Sequence, residues 1–387
     1  MSENVLGQNL RRHRRRVGFT QAALADRAGI SRVAYRNLET GVSEPRTTTL
    51  QKLAEALHVN IGELVVPVPE LTHVRFRSTR KLKSRDHVLA RVSRWLDAYR
   101  SLEHKLDDHV EYLLDDFTVP RATKRKSRAR RAAEELRELV SLADEPIRDI
   151  CGLVESLGIK LLQIELSQEL DDAASFFGLS VGSEDSGGPA IVVNTWRRIP
   201  VERWIFTAAH ELAHLILHLQ SYTTGETEED PDEEVDANEF AGHFLVPSAT
   251  LEKEWPKTAG RRFIQRVLKV KRIFRVSYKT VLYRLQQEYD DTSVWARFHS
   301  EYRRAFRRSL GKTEEPEAAP PSEFSSTFPE SSRAREPEEL SPVDFQPVRL
   351  ERLVRRAIED EQISSDRGGE ILGITREEME ALQESWM

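Results

Sequence analysis

The chain has a single cysteine, Cys151, in 387 residues, so no intramolecular disulfide can form and a cysteine-rich zinc module is excluded. It lacks any apolar run near the ~18 residues that a membrane-spanning helix needs. No apolar core follows the arginine-rich N-terminus, which excludes a secretory signal and sets the expectation of a reducing, cytoplasmic protein. A large net charge is missing too: the formal value is −6, an average over basic and acidic blocks that lie apart in the chain. Charge itself is abundant, at 32% of residues against an ordinary share of about 25%, which calls for a long charged helix or a disordered stretch. Hydrophobic residues make up 39%, enough for real cores, and the length suggests two or three domains.

Residues 1–67 read as five short helices. Leu6 and Leu10 begin an apolar stripe ending near Val17. Thr20 stands where an N-cap belongs, ahead of Gln21–Ala28, and Gly29 fits the left-handed position after that helix. Ser31 can cap Arg32–Thr40, Thr48 a fourth helix, and Asn60 with Glu63 forms a capping box. A helix, a glycine turn and a second helix make a unit whose second helix enters the DNA major groove by its N-terminal end. Arg32 and Val33 occupy that end, and Arg36 lies one turn on. Arginine is the commonest reader of guanine, whereas Val33 can only make apolar contact. Gln21 would grip the backbone or buttress a reader. Tyr35 and Leu38 are core candidates. The alternative is a helical bundle that binds only protein.

Residues 68–131 hold two basic runs, 75–85 with six Lys/Arg and 121–131 with seven, around a stripe at Leu89, Val92, Leu96, Tyr99, Leu102, Leu106, Val110 and Leu113. That spacing predicts one long amphipathic helix over 89–113. Three readings stay open for it: pairing two chains into a homodimer, docking the reader onto the next domain, or packing inside a core. The basic runs suit DNA phosphate or a solvated helix face. From about residue 132 come a helix through Leu136 and Leu139, a second opened by Pro146 and stopped by Gly158, short strands at Ile159–Ile164 and Ala190–Asn194, and a helix opened by Pro200. Nine acidic residues crowd 226–239, and Ser277 caps a basic helix. Residues 311–346, rich in Pro, Ser and Glu, read as a disordered linker, and 347–387 as a helical tail.

The sharpest signal is His210-Glu211-Leu212-Ala213-His214. Histidines four apart share one helix face, so both imidazoles reach one metal ion. Glu211 is rotated off that axis and suits the general base that deprotonates a metal-bound water. A third ligand is needed. On the next helix the stripe Ala237, Phe240, Ala241, Phe244 extends back to Glu234, while Glu233, Asp236 and Glu239 fall nearer solvent. His218 and His243 are weaker candidates.

Two resemblances follow from these residues. The stretch IVVNTWRRIPVERWIFTAAHELAHLILH with EEVDANEFAGHFLVP resembles the ImmA/IrrE metallo-endopeptidases, whose second motif places a ligating glutamate on Glu234. Asp236 and Val246 depart from that pattern without touching a ligand. The family implies a gluzincin-like, mostly helical core over 132–310, a zinc ion at His210, His214 and Glu234 (manganese suits the same donors), and cleavage of repressor-like proteins. The stretch FTQAALADRAGISRVAYRNLETGVSEPRTTTLQKLAEALHVNIGELV resembles the XRE/Cro helix-turn-helix domain. The expected protein is therefore mainly α with a small β-sheet, α+β in class. It reads as a cytoplasmic, DNA-binding zinc endopeptidase that regulates transcription by cutting a regulatory protein. The alternative is a non-proteolytic XRE-type regulator whose HExxH domain senses metal or ligand. A sensor needs the ligands but not Glu211, which favours the enzyme. A substrate strand is expected along the sheet edge near Ala190–Asn194.

Overall fold

The computed structural model describes residues 4–66, 71, 73–78, 85–119, 125–166, 176–185, 187–218, 230–311, 313–316 and 339–386. Most of the expected linker 311–346, along with residues 79–84, 121–124 and 226–229 of the charged runs, lies outside the described residues. The chain divides into two compact units, one of 1–71 with 80–101 and one of 72–79 with 102–387.

The first unit contains α1 (Val5–Arg16), α2 (Gln21–Arg27), α3 (Arg32–Glu39), α4 (Thr47–Leu57) and α5 (Ile61–Val65). The caps follow the sequence signals. Thr20 accepts from the Ala23 N–H at 3.1 Å, Ser31 from Ala34 at 3.1 Å, and Asn60 with Glu63 closes a capping box. One cap differs: α4 starts at Thr47 behind Arg46, with no side-chain cap. Gly29 takes φ +64°, a left-handed backbone that costs a side chain about 1–2 kcal/mol. Leu10, Leu24, Tyr35, Leu38, Leu53, Leu57 and Leu64 fill the core, each stabilising by ~1.5–3 kcal/mol. Buried Asn9 donates to the Leu64 and Val66 carbonyls, both at 2.9 Å, and so ties α1 to the end of α5.

The next elements in chain order are β1 (Val74–Ser78) and α6 (Arg85–Leu106). The long helix ends at Leu106, not Leu113. Asp107 turns left-handed at φ +48°, and Asp-Asp-His at 107–109 competes poorly for helix. Val92, Leu96, Tyr99, Leu102 and Leu106 are buried within a single chain, while Val110 and Leu113 are exposed.

The second unit holds α7 (Arg125–Leu139), α8 (Ile150–Ser156), β2 (Lys160–Ile164), β3 (Phe176–Val181), β4 (Ala190–Asn194), α9 (Val201–Leu217) and α10 (Pro231–Leu245). After them come α11 (Ser248–Glu254), α12 (Phe263–Phe274), α13 (Tyr278–Tyr289), α14 (Val294–Phe306), α15 (Arg349–Glu359), α16 (Ser365–Leu372) and α17 (Arg376–Glu384). α8 begins three residues later than Pro146 suggests counted from Ile147, because Asp149 caps it. The sheet order is β1-β3-β4-β2, with β2 parallel to β4 and the other two pairings antiparallel. Two of these strands were not expected. The apolar run Phe176–Val181 is wholly buried, and β1 falls inside a stretch that reads as a basic run. β4 is interior, so the substrate edge expected at Ala190–Asn194 is already paired on both sides.

α9 is apolar almost all round, as a helix covered on every side must be. It packs on β3 and β4 and against α10. The linker reading also fails at its C-terminal end. Phe345 is fully buried against Trp204, with ring centroids 6.1 Å apart. The tail is docked by charge: Arg349 donates to Glu103 at 2.6 Å and to the Asp108 carbonyl at 2.8 Å, and its backbone N–H reaches Glu155 at 3.2 Å.

Candidate metal centre

α9 carries His210 and His214 one turn apart, with ring centroids 4.7 Å apart and both side chains buried. α10 begins behind Asp230 and Pro231, which fixes Glu234 in the first turn. The three side chains converge. His210 Nε2 lies 3.0 Å from His214 Nε2, and the two Nε2 atoms lie 3.2 Å from Glu234 Oε2 and Oε1 respectively. All their ligand atoms fall within 4.8 Å of one another.

The outer nitrogens are also held. His210 Nδ1 donates to Asn238 Oδ1 at 3.1 Å, and His214 Nδ1 pairs with His218 Nδ1 at 2.9 Å. Donation from Nδ1 leaves Nε2 with its lone pair facing inward, which is how histidines are oriented towards a metal. Two Nε2 atoms 3.0 Å apart, each also facing a Glu234 oxygen, are placed to share one cation. Burial lowers the His214 pKa to about 3, despite Glu234 beside it, and so keeps that imidazole neutral. The donor set therefore fits one divalent ion with a position left open.

Glu211 sits one residue on from His210, fully buried, and its Oε2 accepts from Ser180 Oγ of β3 at 3.0 Å. Gly178, two residues before Ser180, lets β3 approach this closely. A Cβ there would meet the Thr207 methyl at 2.6 Å, the Val192 carbonyl at 2.8 Å and Glu211 Oε1 at 3.3 Å.

The other candidates separate. His218 orients His214, and its second nitrogen stands 3.9 Å from Asp236 Oδ2. His243 lies elsewhere, bonded to Glu239 at 3.1 Å and to the Arg284 guanidinium at 3.1 Å. Asp236 and Glu239 are buried and Glu233 is half-buried against Arg75, none of them more solvent-facing than Glu234, because α10 is covered on more than the face its apolar stripe marks; Tyr283 also binds Glu239 at 3.1 Å. Arg75, Ser180 and Asn238 were not singled out from sequence. Asn238 had a signal, since it lies four residues after Glu234 and shares its helix face. Arg75 and Ser180 come from strands that only the sheet brings here. Arg75 of β1 pairs with Glu233 and lies 3.5 Å from Glu234 Oε1.

In the first unit Arg32, Val33 and Arg36 are all exposed on α3, with Val33 at 68% of its surface, while Tyr35 and Leu38 are buried. Gln21 starts α2 and donates to Glu39 Oε1 at 3.3 Å.

Family comparisons agree with both units. Residues 10–64 match a helix-turn-helix family and residues 154–286 the IrrE N-terminal-like domain, a Peptidase M78 type. An HTH-type transcriptional regulator of Sinorhizobium fredii is 41% identical over 66 residues, which are 17% of this chain and 86% of that protein. The cryptic phage CTXphi transcriptional repressor RstR of Vibrio cholerae is 39% identical over 57 residues, 15% of this chain and 51% of that protein. The chain therefore belongs with the helix-turn-helix transcriptional regulators of the XRE type, and it joins to that reader an IrrE-like domain of the Peptidase M78 family.

Proposed function

We propose that this protein is a cytoplasmic DNA-binding regulator whose IrrE-like domain is a metal-dependent endopeptidase, acting on a repressor-like regulatory protein. The observation that carries the reading is the convergence of His210, His214 and Glu234 beside the buried carboxylate of Glu211. The three hold a divalent ion, zinc by ligand type with manganese able to replace it. When bound, such an ion polarises a scissile carbonyl and acidifies a water. Glu211 is the general base that takes the proton of the attacking water and passes it to the leaving amide nitrogen. Ser180 holds that carboxylate in place, and Asn238 and His218 fix the two imidazoles.

On DNA, α3 is the reading helix. Arg32 and Arg36 present exposed guanidinium groups, and Val33 between them offers an apolar contact. Gln21 buttresses Glu39 at the far end of that helix. Two half-sites call for two readers. The burial of the 92–106 stripe within one chain supports packing inside the chain over a homodimer seam there.

The test is Glu211→Gln in the full chain, co-expressed with candidate regulators encoded nearby. The variant should keep its metal and its DNA binding while a specific fragment seen with the wild type disappears. A variant equal to wild type in every regulatory readout would leave metal or ligand sensing as the role of the domain.

A further inference from the structure

β4 has neighbours on both sides, and β2 is the far edge. The edge beside the ligand set is that of β3, whose Ser180 bonds Glu211 and whose Gly178 lies against the same carboxylate. In the structure that edge is taken. β1 pairs with β3 antiparallel, with Val74 opposite Val181, Arg75 opposite Ser180 and Arg77 opposite Gly178. The His73 carbonyl accepts from the Gly182 N–H at 2.8 Å, and Asp185 accepts from the His73 N–H at 2.7 Å, which anchors the start of the strand.

Residues directly opposite in an antiparallel ladder point to the same face. Arg75 therefore lies on the Ser180 and Glu211 side, and it ends at Glu233 and Glu234 in the acidic first turn of α10. The strand belongs to the same compact unit, but it reaches the sheet from outside the family-matched stretch. β2, β3, β4, α9 and α10 fall within or overlap residues 154–286, whereas β1 comes from about eighty residues upstream, in the segment that follows the DNA-reading helices. It is five residues long, and its register slips between Arg77 and Ser78. A short edge strand with a register slip makes fewer ladder bonds than an interior strand, so a peptide has few to replace.

We propose that the β3 edge is the docking site for an extended, arginine-bearing peptide, and that β1 is its built-in occupant, closing the site until displaced. The chemistry recognised is a strand whose backbone completes the ladder and whose cation meets Glu233, as Val74-Arg75-Phe76 does. This rests on the peptidase reading for what the edge is used for, but the docking can be tested without cleavage.

The experiment uses the full chain carrying Glu211→Gln, so nothing is cut. Val74→Cys with Val181→Cys staples β1 to β3, and Arg75→Pro removes one ladder donor together with the cation. A fluorescent peptide of residues 73–78, HVRFRS, is titrated and followed by anisotropy. A tethered strand acts at an effective concentration of about a millimolar, so the peptide should bind Arg75→Pro at least about tenfold tighter than the unaltered strand. The oxidised staple should show no binding, and reduction should restore the unstapled level. A peptide with glutamate in place of its first arginine should lose about tenfold. Equal binding to oxidised and reduced protein, or no saturable binding to Arg75→Pro, overturns the proposal and makes β1 a permanent fourth strand. If the staple fails to form, the Arg75→Pro titration and the two peptides decide alone. Competition observed without any cleavage when Glu211 is restored would count against the peptidase reading and leave the docking intact.

Discussion

Glu39, the last residue of α3, is the centre of a buried ion pair in the helix-turn-helix unit. Its side chain is buried, and Arg14 grips it as a fork, Nε to Oε2 at 2.9 Å and Nη2 to Oε1 at 3.0 Å. Gln21 and Arg11 add longer contacts, both at 3.3 Å. Burial alone would raise the carboxyl pKa, but the Arg14 fork, with the Gln21 amide beside it, outweighs burial and brings it down to about 2. A depressed carboxylate stabilises the fold above its unfolded pKa, and that contribution is lost as pH falls towards the folded value. The span from 4.5 to about 2 corresponds to at most about 3.4 kcal/mol, and solvent screening reduces that to about 2–3. Glu39→Gln should therefore cost about 2–3 kcal/mol near neutral pH, since Arg14 then faces an amide that cannot match its fork. Hydrogen exchange of peptides from α1 to α3 reads this as about a 30- to 150-fold loss of protection. The gap between wild type and variant should close as pH falls from about 5 to about 2. A gap under about 0.5 kcal/mol at neutral pH, or one that does not narrow in acid, would refute the argument.

Three further outcomes follow. His210→Ala, His214→Ala and Glu234→Ala should each lose most of about one divalent ion per chain by elemental analysis, and loss in Asp236→Ala with full retention in Glu234→Ala would show the ligand to be misassigned. Ser180→Ala should keep the ion yet lower peptide cleavage about 10- to 100-fold, because Glu211 loses the hydroxyl that orients it; unchanged cleavage would remove Ser180 from the site. Arg32→Ala should weaken cognate DNA binding by about 1–3 kcal/mol and relax sequence preference in a footprint or shift assay. Affinity should also fall steeply with salt. A flat salt response would favour a protein-binding module.

The elements with local signals were legible. Caps at Thr20, Ser31 and Asn60, the left-handed Gly29 and the pattern around His210 and His214 depend on neighbours within one or two helical turns, where spacing fixes geometry. Glu234 was legible too, because helix periodicity carries the apolar stripe of α10 back to it. Helix periodicity did not reveal that Asp236 and Glu239 are buried, since burial on a second face comes from partners such as Tyr283, far along the chain. β1 was hidden for a related reason. Val74-Arg75-Phe76-Arg77-Ser78 alternates as a half-buried strand does, but its arginines also make it a basic run. Only pairing with β3 selects between those readings, and it places Arg75 against Glu233. Phe345 looked like linker by composition and is core by contact with Trp204. The sequence by itself determined the five N-terminal helices and the spacing that brings His210, His214 and Glu234 together, because each rests on short-range periodicity. Tertiary structure alone decided which strand pairs along the β3 edge and which hydroxyl holds Glu211, because β1 joins β3 from about a hundred residues away and Ser180 meets Glu211 across 31, and neither contact leaves a local trace.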